Sequence, residues 1–167
     1  MCENEKLILP EKLDYDQFNG DICAFIEAVY AVFKHDFIDS RPIFDDKPLS
    51  LKKRPFIEGK EYTFYHLTSE GDNENDRVFN IGRAECITFV RAIIDNINHP
   101  YLKVWCNKRK GKERTLIFHE EESYLVVLEK RKNYTLLWTA YQVTRTHTYN
   151  KLMKEYKEYE KSKDRHK

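Results

Sequence analysis

The sequence is poor in residues that break regular structure, and it has no long apolar run. Glycine and proline occur five times each among 167 residues, which excludes a collagen-like or linker-dominated chain. No apolar stretch approaches 18 residues and no basic-then-apolar leader opens the chain, so we expect no membrane span, no secretion and a cytoplasmic location. Aromatic residues, in contrast, make up 14% of the chain. That proportion predicts one folded domain rather than a disordered chain.

Cysteine and the usual catalytic motifs are also scarce. The four cysteines, at positions 2, 23, 86 and 106, form no Cys-x-x-Cys pair, so the sequence predicts neither a disulfide framework nor a zinc site. It has no Walker loop, dinucleotide fingerprint, Gly-x-Ser-x-Gly elbow or His-Glu-x-x-His. Nucleotide-driven, hydride-transfer, α/β-hydrolase and zincin chemistries are therefore disfavoured, and we expect no cofactor and no metal.

Charge is unevenly distributed along the chain. Residues 1–100 carry 12 Lys and Arg against 19 Asp and Glu, whereas residues 101–167 carry 17 against 9. A basic C-terminal part is typical of a surface that binds a polyanion such as RNA. The alternative is that two oppositely charged halves of one domain attract each other.

Hydrophobic periodicity predicts an α+β fold. Apolar residues recur at helical spacing in three segments and favour strands in five others. The predicted helices cover about 16–35, 83–98 and 146–162, and the predicted strands 62–67, 101–107, 114–119, 123–129 and 134–143. Short charged turns join the last four strands, which favours an antiparallel meander. We therefore predict a four- to five-stranded antiparallel sheet with helices packed on one face. The predicted divisions are a frayed lead-in over 1–14 within an N-terminal helical extension (1–40), a main domain (41–162) and a basic tail (163–167).

Two segments near the middle of the chain carry candidate functional residues. His66 ends the predicted first strand, where a histidine can titrate near neutral pH and meet a substrate; the ordinary alternative is a half-buried histidine bonded to a nearby carbonyl. Arg83 and Glu85 begin the next predicted helix. There an arginine suits a phosphate, or an ion pair with the acidic loop at 72–76.

The basic half carries further candidates. Thr139 and Tyr141 share one face of the last predicted strand, where both hydroxyls can line a concave site. The ordinary alternative is the alternation of buried and exposed residues that most antiparallel strands show. The predicted turns carry lysines that contact phosphates in some proteins and are merely solvated in others. These lysines are Lys108, Lys110, Lys130 and Lys132.

Several segments of the sequence resemble segments of a phage- and prophage-encoded group of predicted nucleases with the barnase/EndoU/colicin/RelE-like fold, and they occur in the same order along the chain. Phe-Tyr-His-Leu-Thr-Ser-Glu-Gly (64–71) is similar to an aromatic-His-hydrophobic segment of that group, and Arg83-x-Glu85 to its central helix. Further matches are Tyr-Leu-Val-Val-Leu (124–128), Tyr-Thr-Leu-Leu-Trp-Thr-Ala-Tyr (134–141) and Lys-Leu-Met-Lys-Glu-Tyr (151–156). The resemblance covers residues 43–160.

The resemblance implies a metal-independent endoribonuclease that cleaves RNA by attack of the 2′-OH, as a phage or prophage toxin or host-takeover factor. RNA is the expected partner, and the sequence leaves open whether an inhibitor (antitoxin) protein accompanies the chain. By position it carries over the catalytic residues His66, Arg83, Glu85, Thr139 and Tyr141. Two positions depart from the group, because Cys86 stands where a basic residue is expected and Phe89 where tryptophan is. A non-catalytic module that binds RNA or protein on the same fold is the alternative, and a structural phage protein with a vestigial nuclease fold is a third.

Overall fold

A computed structural model describes residues 5–167 of the chain; Cys2 lies outside this range. The helices are α1 (Ile22–Lys34), α2 (Tyr62–Thr68), α3 (Ile81–Glu85), α4 (Ile87–Asp95) and α5 (Thr146–Asp164). The strands are β1 (Ile43–Phe44), β2 (Lys47–Pro48), β3 (Ser69–Glu70), β4 (Val78–Phe79), β5 (Lys103–Arg109), β6 (Lys112–His119), β7 (Tyr124–Lys130) and β8 (Thr135–Gln142). The protein is thus α+β, as the sequence predicts. None of the described helices is long and apolar enough to cross a membrane.

The main sheet is an antiparallel meander in the order β5-β6-β7-β8. Its strands match the four predicted segments, since each is rich in β-branched and aromatic residues and short turns leave no room for a crossover. The other two sheets are two-residue ladders that pair β1 with β2 and β3 with β4. The meander is therefore the frame on which the rest of the chain packs.

Helices cover both faces of the meander, so the prediction of helices on one face is wrong. Alternate residues of β7 are buried in two different cores. Tyr124, Val126 and Leu128 pack with α1, α2 and α4, whereas Leu125 and Val127 pack beneath α5. A strand that is buried on both sides reads as a continuous apolar run, and Tyr-Leu-Val-Val-Leu is such a run.

The N-terminal region belongs to the first of these cores. Phe25, Val29, Phe33 and Phe37 are fully buried there, in the cluster that also holds the sheet residues. Helix α1 begins six residues later than predicted, because residues 19 and 20 take positive φ angles and end a short 3₁₀ turn. The side chain of Asp21 then caps α1.

The extended segment before that turn is also anchored. Leu7, Leu9 and Leu13 pack against the first core, and the backbone N–H of Leu13 donates to the carbonyl of Glu85 at 2.9 Å. The prediction of a frayed lead-in is therefore wrong for residues 5–14. At the other end, α5 runs to Asp164, two residues into the predicted basic tail, and residues 163–167 are exposed.

Residues 62–67 form a helix, and the predicted first strand is wrong. The run Tyr-Thr-Phe-Tyr-His-Leu favours a strand by composition, but packing decides: α2 buries Phe64 and Leu67 in the first core. The free edge of β8, where a fifth strand would pair, is instead met by Ser50 of the connector, which bridges Leu136 in parallel. The next predicted helix also divides, since Cys86 leaves helical geometry between α3 and α4.

Candidate functional site

Helix α5 covers only part of its face of the sheet, and a cleft of about 460 Å³ remains between α5, β8 and the α2–α3 region. Four of the five predicted catalytic residues line it: His66, Arg83, Thr139 and Tyr141. They come from the neighbouring helices α2 and α3 and from the strand β8, which is distant in sequence. The fold therefore brings together most of the site that the sequence predicts.

A β-bulge in β8 shapes the floor of the cleft. Leu137 pairs with Leu128 and Thr139 pairs with Val127, so Trp138 is an extra residue between them. The bulge breaks strict alternation, and Trp138 and Thr139 both line the cleft. Bulges re-aim side chains in this way and are common beside functional sites.

Arg83 is the central residue of the cleft wall. Its Nη2 donates to the carbonyl of Ala140 at 3.1 Å and to the Thr139 hydroxyl at 3.3 Å. Its Nε donates to the carbonyl of Leu67 at 3.2 Å, and its guanidinium carbon lies 5.6 Å from the centre of the Tyr141 ring. Burial lowers the pKa of Arg83 and raises that of Tyr141. Arg83 thus ties α3 to α2 and β8, rather than pairing with the acidic loop at 72–76.

A second arginine, Arg77, lies beside Arg83 and has no counterpart in the sequence prediction. It donates to the carbonyls of Gly71, His66 and Ser69 and to the Ser69 hydroxyl. Neither arginine is in an ion pair within residues 5–167. Because carbonyl dipoles satisfy donors without cancelling the charge, both guanidinium groups keep their positive charge on this wall of the cleft.

His66 lies between this positive wall and Trp138. Its ring centre is 5.7 Å from that of Trp138, and its Nδ1 is buried with no hydrogen-bond partner in the described chain. Burial, together with Arg77, Arg83 and Lys52, lowers its pKa to about 4. His66 is therefore a neutral imidazole at neutral pH, and it does not make the carbonyl hydrogen bond of the ordinary alternative.

Glu85 is not part of the cleft, so its assignment to the site is wrong. Its carboxylate accepts the backbone N–H of Tyr15 at 3.0 Å, and its carbonyl accepts that of Leu13. Arg83 and Glu85 are two residues apart on one helical turn, and such residues point to different sides. Glu85 instead holds the N-terminal segment.

The four predicted RNA-binding lysines lie outside the cleft. They are exposed, two at the ends of β5 and β7 and two in the turns that follow. One of them, Lys130, pairs with Glu113 at 3.5 Å. The cations that do line the cleft, besides Arg77 and Arg83, come from the neighbouring strands and from α5. They are Arg109, Arg114 and Lys151.

Arg114 belongs to a charge cluster around a buried carboxylate. Glu129 is fully buried, and its carboxylate meets Arg114 at 2.9 Å and Arg131 at 2.6 Å. Both guanidinium groups lie over the ring of Trp138, at 5.2 and 6.0 Å from its centre. Lys112 Nζ also lies 3.7 Å from this carboxylate. Three cations thus share one carboxylate, and the cluster carries a net positive charge.

Helix α5 supplies the remaining polar residues of the cleft. His147, in its first turn, is exposed and lines the cleft together with Glu155, two turns further along. The Glu155 carboxylate is already engaged, since it accepts the Trp105 indole N–H at 2.8 Å and the Asn107 amide at 2.6 Å. His147 was not among the predicted site residues. The sequence feature that indicates it is its position at the start of a helix directly after β8.

A wider groove of about 870 Å³ adjoins the cleft and shares Arg77, Arg83, Tyr141 and Thr148 with it. Its other walls mix carboxylates of the 70–76 loop with residues 142–145. The positive cleft therefore opens into a groove of mixed charge.

The two departures from the resembled group lie in the core. Cys86 and Phe89 are both buried in the first core, and neither lines the cleft. Burial raises the pKa of the Cys86 thiol to about 11. A basic side chain at position 86 would therefore sit in apolar surroundings rather than beside a phosphate.

Among residues 5–167, no three His, Cys, Asp or Glu side chains group as metal ligands. Comparison of the chain with protein-family models, with curated proteins and with solved structures finds no match. The cleft is therefore the feature of the molecule that bears on its function.

Proposed function

We propose that the protein is a metal-independent endoribonuclease on an RNase/RelE-like fold, which cleaves RNA by attack of the 2′-OH on the adjacent phosphate. The observation that supports this proposal is the cleft, where two histidines and a threonine–tyrosine pair adjoin cations that make no ion pair among residues 5–167. These cations are Arg77, Arg83, Arg109 and Lys151. The proposed substrate is RNA, and the proposed role is that of a phage or prophage toxin or host-takeover factor.

The charge of the cleft suits a phosphodiester. In the transition state of 2′-OH attack, negative charge builds on the non-bridging oxygens, and positioned cationic donors stabilise it most where water is excluded. Arg83, Arg109, Arg114 and Lys151 surround the cleft. Because the bonds of Arg83 fix its guanidinium before substrate arrives, it needs little reorganisation during the reaction.

The histidines supply the groups for proton transfer. A base must take the proton of the 2′-OH and an acid must protonate the leaving 5′-oxygen, and such groups contribute roughly 10²–10⁴-fold each. His66 of α2 and His147 of α5 both line the cleft. Tyr141 of β8 lines it too, and burial raises its pKa, so its hydroxyl stays protonated as a donor.

One observation favours the second candidate, a non-catalytic RNA-binding module. Most donors of Arg77 and Arg83 bind backbone carbonyls, so both arginines also serve the fold. A positive cleft built in this way binds RNA whether or not cleavage follows.

The test is incubation of the purified protein with single-stranded RNA in EDTA, followed by identification of the product ends. We expect 2′,3′-cyclic phosphate ends, and no cleavage of a matched oligonucleotide with 2′-deoxyribose throughout. The matched control is Tyr134→Phe, which removes an exposed hydroxyl outside the cleft and should cleave like the wild type. Binding of both oligonucleotides without cleavage of either identifies the binding module instead.

A further inference from the structure

A fully buried carboxylate, that of Glu129, lies beside the cleft. Glu129 follows Leu125 and Val127 at intervals of two along β7, so all three side chains point to the α5 face of the sheet. Arg114 is its direct partner across the ladder, on β6. A buried charge is costly unless it is paired, so the partners of this carboxylate indicate what it does.

The two oxygens of the carboxylate have different partners. Arg114 donates from Nε to Oε2 at 2.9 Å, and its Nη2 lies 2.9 Å from the same oxygen. Oε1 lies 2.6 Å from Nη2 of Arg131 and 3.7 Å from Nζ of Lys112, without a hydrogen bond to either. Of these three cations, only Arg114 lines the cleft. The carboxylate thus makes its hydrogen bond with the one cation of the three that belongs to the cleft.

The contact with Glu129 occupies one edge of the Arg114 guanidinium. This group carries its N–H donors in a planar fork and can bind an anion along either of two edges. The Nε–Nη2 edge contacts Glu129, and the ring centre of Trp138 lies 5.2 Å from the guanidinium carbon. Nη1 makes no hydrogen bond within residues 5–167. The Nη1–Nη2 edge therefore remains for a second anion.

We propose that Glu129 is a positioning residue, which fixes the guanidinium of Arg114 so that its Nη1–Nη2 edge binds the scissile phosphate. This inference rests on the proposed function of the cleft. The negative charge of Glu129 by itself weakens the binding of an anion nearby, so its contribution here is orientation. A fixed donor stabilises the transition state more than a mobile one, because it does not reorganise during the reaction.

The other cations of the cleft differ from Arg114 in how they are held. Arg83 is fixed by backbone carbonyls. Arg109 and Lys151 make no ion pair within the described chain, so no carboxylate fixes their charged groups. Glu129 therefore gives the cleft a second oriented guanidinium, on the side opposite in sequence to that of Arg83.

The orientation of Arg114 can be measured in the wild-type protein without RNA, by NMR of ¹⁵N-arginine-labelled samples. When rotation about the Nε–Cζ bond is slow, the two Nη nitrogens give separate signals. Arg114→Lys identifies the signals of Arg114. At a temperature where free arginine gives one averaged Nη signal, we expect two for Arg114, and a single averaged signal overturns the proposal.

Glu129→Gln tests the role of Glu129, because it removes the charge and keeps the shape. We expect the Nη signals of Arg114 to merge, since a neutral amide holds a guanidinium less firmly. The matched control is Glu113→Gln, whose carboxylate is half exposed and pairs with Lys130; it should leave the signals separate. Separate signals in Glu129→Gln overturn the proposal. If that variant does not fold, Glu129→Asp, which withdraws the carboxylate from Arg114, takes its place with the same expectation.

Activity distinguishes orientation from charge. Both Gln variants lose one negative charge, so charge alone predicts that each binds RNA at least as tightly as the wild type. We expect Glu129→Gln to bind a 2′-deoxy oligonucleotide no more weakly, yet to cleave RNA about 10-fold more slowly in a single turnover, since loss of a whole donor costs roughly 10²–10³-fold. Glu113→Gln should cleave at the wild-type rate. A wild-type rate in Glu129→Gln overturns the proposal.

The NMR measurements separate this inference from the proposed function. Addition of the 2′-deoxy oligonucleotide should shift the Nη signals of Arg114 whether or not RNA is cleaved, and no shift overturns the phosphate contact. If Glu129 fixes Arg114, the oligonucleotide shifts its signals and RNA stays intact, the enzyme is refuted and the positioning of a phosphate-binding arginine is kept. Cleavage of RNA with a freely rotating Arg114 would do the opposite.

Discussion

The two faces of the four-stranded sheet show how one strand sequence serves both stability and a site. On one face, α1, α2 and α4 cover the sheet with a continuous apolar core that includes Phe25, Phe33 and Ile93. On the other, α5 covers a smaller apolar cluster and leaves the β8 side open as the cleft. Polar residues concentrate in the part of the sheet that α5 leaves uncovered, because water or a ligand can form hydrogen bonds with them there.

The closed face should carry most of the stability. Phe33→Ala removes a fully buried ring that contacts Phe37 and Phe64, and we expect the free energy of unfolding to fall by about 3–5 kcal/mol. Denaturant unfolding measures this change. The matched variant on the open face, His147→Ala, should leave the free energy of unfolding almost unchanged. A large loss of stability in His147→Ala would contradict the conclusion that the closed face carries most of the stability.

The open face should make stability depend on pH through His66. Its pKa is about 4 in the folded protein against 6.5 ordinarily, so the unfolded chain takes up a proton first as the pH falls. The folded state should therefore lose up to about 3 kcal/mol between pH 6.5 and pH 4, and keep this contribution above pH 6.5.

The measurement is a series of denaturant unfolding curves across that pH range for the wild type and for His66→Gln, which cannot titrate. The variant should show a shallower decline. Parallel declines would mean that His66 is not held neutral by its surroundings.

Removing the exposed histidine of the cleft should affect chemistry rather than folding. For His147→Ala we expect RNA cleavage to slow by about 10²-fold, the loss typical of an acid–base group, with an unchanged melting temperature. The check is a single-turnover cleavage rate beside a thermal melt. A wild-type rate would remove His147 from the mechanism.

The smallest effect is expected at the turns. Changing Lys108, Lys110, Lys130 and Lys132 together to Glu should weaken RNA binding several-fold and flatten its dependence on salt, because fewer counterions are released. Changing the two cleft cations Arg109 and Lys151 to Glu should weaken it more. Binding to an uncleavable 2′-deoxy oligonucleotide at several salt concentrations measures both, and a larger effect at the turns would place the RNA outside the cleft.

The sequence by itself determined the elements whose pattern is local. The meander and α5 follow from alternation, short turns and a helical stripe, all of which act within a few residues. Four cleft residues were also predicted. Their positions near the ends of predicted elements singled out His66, Arg83, Thr139 and Tyr141, and the family resemblance assigned them to one site.

Only the tertiary structure decided the rest, because it depends on partners distant in the chain. Burial against the first core made residues 62–68 a helix despite their β-forming composition. The bulge at Trp138 and the carbonyl contacts of Arg77 arise from neighbours that spacing does not reveal. Glu85 illustrates the limit: its nearness to Arg83 in sequence predicted a shared site, but on a helix residues two apart point to different sides, and packing placed it against the N-terminal segment.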